Sequence, residues 1–204
     1  MTKRERARPM APAARREELV SATRSLLMEH GRATTTRLIA EAAGVAEGTI
    51  FRIFPTKEEL FDAVLEAEFD PEPFLAEIRA IDLDLPLRER LVTATGLLQR
   101  RFIGIFQLMT ALALPRPPER FQTPEVRKRL AEEGLERVLG ADAELFRIPP
   151  EEVVRLLRLL TFSGSHPHIS DQRPMRPDEI VDVILHGTLR RSPRPGRADG
   201  EEES

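Results

Sequence analysis

Apolar residues recur every three or four positions along most of the chain, and this spacing predicts an all-α fold. The first such segment runs from Ala13 to His30. Gly31 follows it, and a glycine just beyond a helix accepts the left-handed backbone that ends the helix. The apolar positions of this predicted helix are Leu19, Ala22, Leu26 and Leu27.

Two short helices are predicted next, on either side of Gly44. Thr35 or Thr36 can cap the first of them, and Gly44 ends it. Val45 is expected to pack into the core and to set the angle between the two helices. The apolar and small residues of the first helix are Leu38, Ile39, Ala40, Ala42 and Ala43.

The second short helix is predicted from about Ala46 to Ile53, with Ile50 and Phe54 directed inward. Its outward residues are Glu47, Gly48, Thr49, Phe51 and Arg52. Two helices of this length across a glycine-containing turn have the layout of a helix-turn-helix, whose second helix enters the major groove of DNA.

Helices are predicted over the rest of the chain as well. Thr56 can cap a helix from Lys57 whose apolar stripe continues towards Phe69. A long helix is expected from Leu87 to Leu114, and its apolar residues nearly encircle it around positions 102 to 112, so we expect it to be central. The remaining predicted helices are Pro124 to Leu139, Glu151 to Phe162 and Asp178 to Leu189.

The segment from residue 35 to residue 60 resembles the TetR/AcrR-type transcriptional regulators, whose signature runs roughly T-T-x-x-I-A-x-x-A-G-V-S-x-G-T-L-Y-x-Y-F-x-x-K-E-x-L. More than a dozen positions of this chain fit that pattern in register. They include Thr35-Thr36, Ile39-Ala40, Ala43-Gly44-Val45, Gly48-Thr49-Ile50-Phe51, Phe54, Lys57-Glu58 and Leu60. The resemblance implies an N-terminal three-helix DNA-binding domain followed by a C-terminal helical domain for ligand binding and dimerisation.

Three residues depart from the family pattern. Ala46 stands where a serine cap is common, which costs the second short helix about 1 kcal/mol. Phe51 replaces the usual tyrosine and so lacks a hydroxyl for a phosphate oxygen. Glu47 either stabilises the helix start through the helix dipole or accepts a hydrogen bond from a cytosine amino group.

The resemblance also implies roles for individual residues. Thr36, Thr49 and Lys57 are the expected phosphate contacts, and Arg37 is the candidate for a bidentate grip on guanine, the alternative being a solvated surface charge. The full set of expected DNA-binding residues is Thr36, Arg37, Ala46, Glu47, Gly48, Thr49, Phe51 and Lys57.

The C-terminal helices carry the expected regulatory residues. For Phe69, Phe102, Phe106, Met109 and Phe162 the functional interpretation is the wall of an apolar ligand cavity, and plain core packing is the alternative. The resemblance places a four-helix dimer bundle at the last two helices. Its expected contacts are Val153, Leu156, Leu157, Leu160, Ile180, Val183 and Ile184.

The charge of the chain is unevenly distributed. Residues 1–57 carry 11 Lys/Arg against 6 Asp/Glu, which is a net charge of +5. Since the net charge of the whole chain is −3, the remaining residues carry −8. Phosphate neutralisation is local, so the positive N-terminal part suits DNA. Residues 1–12 are predicted to be a flexible basic arm that reaches into the minor groove, or else only a solubilising tail.

Several classes of function are disfavoured by the sequence. Cysteine is absent from the chain, which rules out disulfides and thiolate chemistry, and no long apolar run predicts a signal or membrane segment. No nucleotide-binding loop or nucleophile elbow is found, so we expect neither enzymatic activity nor a cofactor. His166 and His168 with Asp171 could bind a metal, but a histidine-containing surface loop is the simpler interpretation, and no metal is expected.

The sequence therefore predicts four parts: the arm at 1–12, a helix-turn-helix domain at 13–58, a regulatory and dimerisation domain at 59–190 and a disordered tail at 191–204. The expected protein is a cytoplasmic homodimer that binds a palindromic operator, represses transcription and is released by a small apolar effector. The alternative is a ligand-sequestering or protein–protein regulator whose DNA reading is weakened.

Overall fold

The computed structural model describes residues 11–121 and 123–189, and within these ranges the fold is all-α, as predicted. The expected basic arm lies almost entirely outside the described residues, and the C-terminal tail lies entirely outside them. The helices are α1 Pro12–His30, α2 Thr36–Ala42, α3 Glu47–Ile53, α4 Lys57–Phe69, α5 Glu72–Arg79, α6 Leu87–Ala111, α7 Pro124–Arg129, α8 Arg137–Leu139, α9 Pro150–Ser165 and α10 Pro177–Thr188.

The predicted helix ends of the N-terminal region agree with the structure. Gly31 and Gly44 both have positive φ, of 56° and 63°, where side chains with a Cβ are strained. Thr35 caps α2 and Thr56 caps α4, each by accepting a hydrogen bond from a backbone N–H of the first turn. Ala46 provides no such bond for α3.

Two elements differ from the sequence prediction. Helix α5 is not foreseen by it, because Pro71 and Pro73 suggest an interruption, yet proline fits the first turn of a helix. The predicted helix from Pro124 to Leu139 is divided by a π-helical segment at Leu130–Glu136. Such a segment inserts an extra residue per turn, so it shifts the apolar face and weakens the expected periodicity.

Helix α6 is the central element, as predicted. It packs against α1 and α4, which belong to the N-terminal part of the chain. It also packs against α5, α8, α9 and α10, which belong to the C-terminal part. Buried side chains form one core cluster around α1 to α4 and a second one around α5 to α10. The last turns of α6 contribute Ile105 and Leu108 to the N-terminal cluster, and Leu112 directly after the helix joins them, so this helix belongs to both cores.

An ion pair lies where α1, α4 and α6 meet. The Arg24 guanidinium on α1 donates to the Glu68 carboxylate on α4, with an Nε–Oε2 distance of 2.6 Å. Gly104 on α6 allows this contact, because a Cβ there would lie 2.1 Å from Glu68 Oε1 and 3.4 Å from Arg24 Nη2. A Cβ at this position of α6 would therefore force the Glu68 carboxylate to move from its place beside Arg24.

We expect Gly104→Ala to lower the free energy of unfolding by about 1 kcal/mol, because the displacement of Glu68 from Arg24 outweighs the better helix propensity of alanine. Gly96→Ala on the same helix is the matched control. Its Cβ meets Pro177 Cγ at an ordinary 3.7 Å, so the better helix propensity of alanine should stabilise by about 0.5–1 kcal/mol. Urea unfolding of both variants checks this, and shifts of the same sign would contradict the steric account.

Candidate DNA-binding site and apolar cleft

The outer surface of α3 has the composition that the sequence predicts. Ile50 and Phe54 are buried beneath it, whereas Glu47, Gly48, Phe51 and Arg52 are exposed and Thr49 is partly exposed. Phe51 stands out, since 45% of a large apolar side chain faces solvent. A single exposed apolar ring is ordinary on a protein surface, but this one lies on the side of α3 that the sequence predicts to face DNA.

Thr36 and Glu47 are joined across the two short helices. The Thr36 hydroxyl of α2 donates a hydrogen bond to the Glu47 carboxylate at the first position of α3. This bond orients the carboxylate at the end of α3 that a major groove would receive. A phosphate contact by Thr36 would have to replace this bond, because the hydroxyl has a single hydrogen to donate.

The other two predicted basic contacts also have partners in the protein. Arg37 is exposed and its Nε lies 3.1 Å from Glu41 Oε1. Lys57 Nζ donates to the Arg32 carbonyl at 3.2 Å and lies 5.0 Å from the centroid of the Phe61 ring. An exposed pair of this kind is weak, and an ammonium group retains further donors, so both side chains can still meet a phosphate or a base.

Arg52 is a candidate DNA contact that the sequence reasoning did not single out as one. It lies in the last turn of α3, is exposed and has no hydrogen bond or ion pair to the described residues. Most other described arginines do have such a partner. A guanidinium that is exposed and unpaired beside Phe51 is suited to a phosphate oxygen.

A cleft of about 370 Å³ lies between α6, α7 and α9, and it brings together all five predicted ligand residues. They are Phe69, Phe102, Phe106, Met109 and Phe162. Phe102 and Phe106 meet Phe162 edge to face, with centroid distances of 5.3 and 5.0 Å. The cleft is therefore aromatic on several sides. Phe74 and Phe121, which the sequence reasoning missed, complete its aromatic lining.

The C-terminal end of α4 forms part of the cleft. The Phe69 ring stacks on Phe121 with a centroid distance of 4.8 Å. Arg101 of α6 holds this end by donating to the carbonyls of Phe69 and Asp70, at 2.7 and 2.6 Å. Burial lowers the pKa of Arg101, and the nearby carboxylates of Glu68 and Asp70 oppose that shift. The helix that leaves the DNA-binding domain is thus anchored at the cleft.

A second cleft of about 600 Å³ adjoins the first and shares Phe106, Met109, Pro115 and His166 with it. The shared wall consists of Phe106 packed on His166, with ring centroids 4.7 Å apart. This second cleft reaches Leu27 and Gly31 at the end of α1. Hence one wall of the aromatic cleft is continuous with the supporting helix of the DNA-binding domain.

The predicted dimer residues divide into two groups. Val153, Leu157, Ile180 and Ile184 are buried in the core of the single chain, so they leave little of their surface for a partner. Periodicity selects the most apolar side of a helix, and the chain's own core takes that side. Leu156 and Leu160 are partly buried, whereas Val183 is 55% exposed. The exposed apolar residues of α9 and α10 are Leu159, Phe162 and Val183.

The histidine loop shows no metal-binding geometry. His166 and His168 have ring centroids 5.9 Å apart, but no group of three metal-ligating side chains occurs in residues 11–121 and 123–189. Within the same ranges no helix is long and apolar enough to cross a membrane.

The fold and the α2–α3 unit define a helix-turn-helix protein, and the comparisons with known proteins agree. Residues 19–64 match the family model described as "Bacterial regulatory proteins, tetR family". The N-terminal region of the chain is therefore similar to that family. Its similarity to the curated relatives below extends over less than a third of the chain.

Two curated relatives and one solved structure illustrate this similarity. The "HTH-type transcriptional repressor KstR2" of Mycolicibacterium smegmatis is 36% identical over 63 residues, 30% of this chain. The protein of the same name from Rhodococcus jostii is 42% identical over 57 residues, 28% of this chain. The chain spans about 31% and 28% of the length of these relatives. A TetR transcription regulator from Haloarcula marismortui has the same fold, with a TM-score of 0.63, 21% identity and coverage of 87% of this chain and 100% of that one.

Proposed function

We propose that this protein is a sequence-specific DNA-binding repressor that acts in the cytoplasm as a homodimer. The observation that carries the proposal is the outer surface of α3, on which Glu47, Gly48 and Phe51 are exposed above the buried Ile50. Small and polar residues at the start of such a helix allow its backbone to approach base edges. Phosphate contacts by Thr49, Arg52 and Lys57 would position it.

Base reading by this surface would involve Glu47 and Arg37. Glu47 is oriented by Thr36 and can accept a hydrogen bond from the amino group of cytosine. Arg37 can donate to two acceptors of guanine once it leaves Glu41. Ala46, Gly48 and Phe51 would pack against the DNA backbone or the groove. Together these residues form a DNA-contacting surface with few charges, in which the Glu47 carboxylate is the hydrogen-bond acceptor.

The test of DNA reading is selection of bound sequences from random duplex DNA with purified wild-type protein and Glu47→Gln side by side. We expect the wild type to prefer cytosine at one position of each half-site. The amide variant should lose about 1–3 kcal/mol of that preference. It should also bind random DNA more tightly, since one charge that phosphates repel is gone.

Glu58→Gln is the matched control for this experiment. It removes the same charge from an exposed carboxylate at the start of α4, outside α3. We expect it to select the wild-type consensus. If Glu47→Gln also selects that consensus with unchanged strength, Glu47 serves only the start of the helix.

A homodimer would form through the outer sides of α9 and α10. Leu159, Phe162 and Val183 are exposed there, and Gly187 leaves open space in which a second helix can approach closely. A twofold axis between two such surfaces would present two α3 helices to one side of a duplex. Consecutive major grooves require the two helices to lie about 34–36 Å apart.

Release from DNA would come from a small effector in the aromatic cleft. Its lining includes Phe69 at the end of α4, and α4 begins in the DNA-binding domain at Lys57. A ligand that contacts Phe69 and Phe106 would favour a different tilt of α4 and a different separation of the two α3 helices. Only a difference in ligand affinity between the two arrangements produces this response.

A second candidate function is a ligand-sequestering or protein–protein regulator with weakened DNA reading. It is favoured by the bond between Thr36 and Glu47, which engages one phosphate donor, and by the absence of a side-chain cap at Ala46. The selection experiment separates the two, because a regulator of this kind enriches no sequence.

A further inference from the structure

The aromatic cleft is positively charged, although the part of the chain that forms it is acidic. Residues 58–204 carry a net charge of −8, yet among the residues that the structure describes no aspartate or glutamate lines the cleft. Its charged lining residues are the arginines Arg101, Arg116, Arg127 and Arg158. A cavity with cationic groups and no carboxylate provides a favourable potential for an anion.

Three of these arginines have no side-chain partner among the described residues. Arg101 already donates to the carbonyls of Phe69 and Asp70. In contrast, Arg116, Arg127 and Arg158 have no hydrogen bond or ion pair to the described residues. Among the described arginines only Arg52 and Arg173 share this property. Three of the five unpaired guanidinium groups thus line one cleft.

The three arginines come from separate elements around the cleft. Arg116 lies in the segment after α6, Arg127 lies on α7 and Arg158 lies on α9. All three are exposed, so they form the rim, whereas the phenylalanines other than the exposed Phe162 form the apolar interior. Guanidinium groups bind carboxylates and phosphates through paired hydrogen bonds. The rim is therefore suited to an anionic group and the interior to an apolar body.

His166 lines the same cleft and carries an unsatisfied polar atom. Its Nδ1 is buried and has no hydrogen-bond partner, while its ring packs against Phe106. A buried polar atom without a partner is unfavourable, and a ligand group that pairs with it gains affinity. His166 also belongs to the wall that the two adjoining clefts share.

We propose that the cleft binds an amphipathic anion, with an aliphatic or aromatic body among the phenylalanines and a carboxylate or phosphate head at Arg116, Arg127 and Arg158. The volume of about 370 Å³ is within the range of small-molecule sites. That such a ligand regulates DNA binding rests on the function proposed above. Binding of the ligand itself does not.

Calorimetric titration of the full-length protein with four ligands of one chain length tests the proposal. They are decanoate, decyl phosphate, decanol and decyltrimethylammonium. We expect both anions to bind at least tenfold more tightly than the alcohol and the cation. The tighter of the two anions identifies the preferred head group. Equal or tighter binding of the alcohol or the cation would overturn the proposal, and so would the absence of anion binding.

Variants of the rim then locate the site. The double variant Arg127→Ala/Arg158→Ala should lose at least about tenfold in decanoate affinity, because hydrogen bonds to charged groups are lost. Its affinity for decanol should not change. Arg173→Ala is the matched control, since Arg173 is exposed and unpaired but does not line the cleft. Wild-type decanoate affinity in the double variant would contradict the assignment.

Affinity for DNA is measured on the same samples without ligand. If decanoate binds as expected but no duplex sequence is preferred, the anion site holds and the proposed function fails. If a sequence is preferred but no anionic probe binds, the proposed function holds and the anion site is refuted.

Discussion

Replacing Val183 by aspartate should turn the protein into a monomer and lower its affinity for its operator by at least about a hundredfold. Val183 is 55% exposed on α10, and α10 packs against α9, which carries the exposed apolar residues Leu159 and Phe162. A carboxylate there must lose its hydration when two such surfaces meet, and the cost of burying it opposes association. A monomer has a single α3 helix, so it loses the additional affinity that comes from binding two half-sites at once.

Sedimentation measures the oligomeric state, and titration of the selected duplex measures the affinity. Leu145→Asp is the matched control, because Leu145 is 50% exposed but lies outside α9 and α10. We expect it to remain a dimer with wild-type affinity. A Val183→Asp protein that stays dimeric would place the partner surface elsewhere on the chain.

Removing Asp142 should cost about 3 kcal/mol of the free energy of unfolding. Arg90 of α6 is only 2% exposed, and its guanidinium donates to the Asp142 carboxylate. Its Nε has no hydrogen-bond partner. In Asp142→Ala a buried positive charge loses its counter-charge, which is among the most destabilising changes that a single substitution can make.

Arg90→Met should be much milder than Asp142→Ala, within about 1 kcal/mol of the wild type, because an apolar chain of similar length fills the space without a charge. Glu77→Ala is the control for an exposed pair. Arg100 lies 2.7 Å from Glu77, but both side chains are more than half exposed, so we expect a change below about 1 kcal/mol. Urea unfolding measures all three. A loss for Arg90→Met as large as that for Asp142→Ala would mean that the pair itself is stabilising.

The helix-turn-helix could be predicted closely because its determinants are local. Thr35, Gly44 and Thr56 act through their own backbone neighbours, and these caps lie where the sequence predicts them. Helix α5 was missed because Pro73 suggests an interruption until its place in a first turn is known. The π-helical segment at Leu130–Glu136 was missed because one extra residue per turn disrupts the spacing on which the prediction rests.

The cleft shows the limit of sequence reasoning about sites. Its phenylalanines were found, because aromatic residues on a central helix suggest a cavity. The arginines of its rim were not predicted, because a charged side chain in a sequence is most simply interpreted as facing solvent. Their significance depends on which partners they lack, and only tertiary contacts reveal that. Leu157 and Leu159 lie two residues apart on α9, and the core buries Leu157 but leaves Leu159 exposed. The apolar periodicity of the sequence did not distinguish these two sides of the helix.

The central claim, that a dimer of this protein reads DNA sequence, is tested most directly by a salt titration of its affinity for the selected duplex, with a random duplex measured in parallel. The account predicts that two protomers bind the selected duplex. It also predicts at least about a thousandfold preference over random DNA and an affinity that falls linearly with salt on logarithmic axes. Equal affinity for both duplexes at every salt concentration would contradict it.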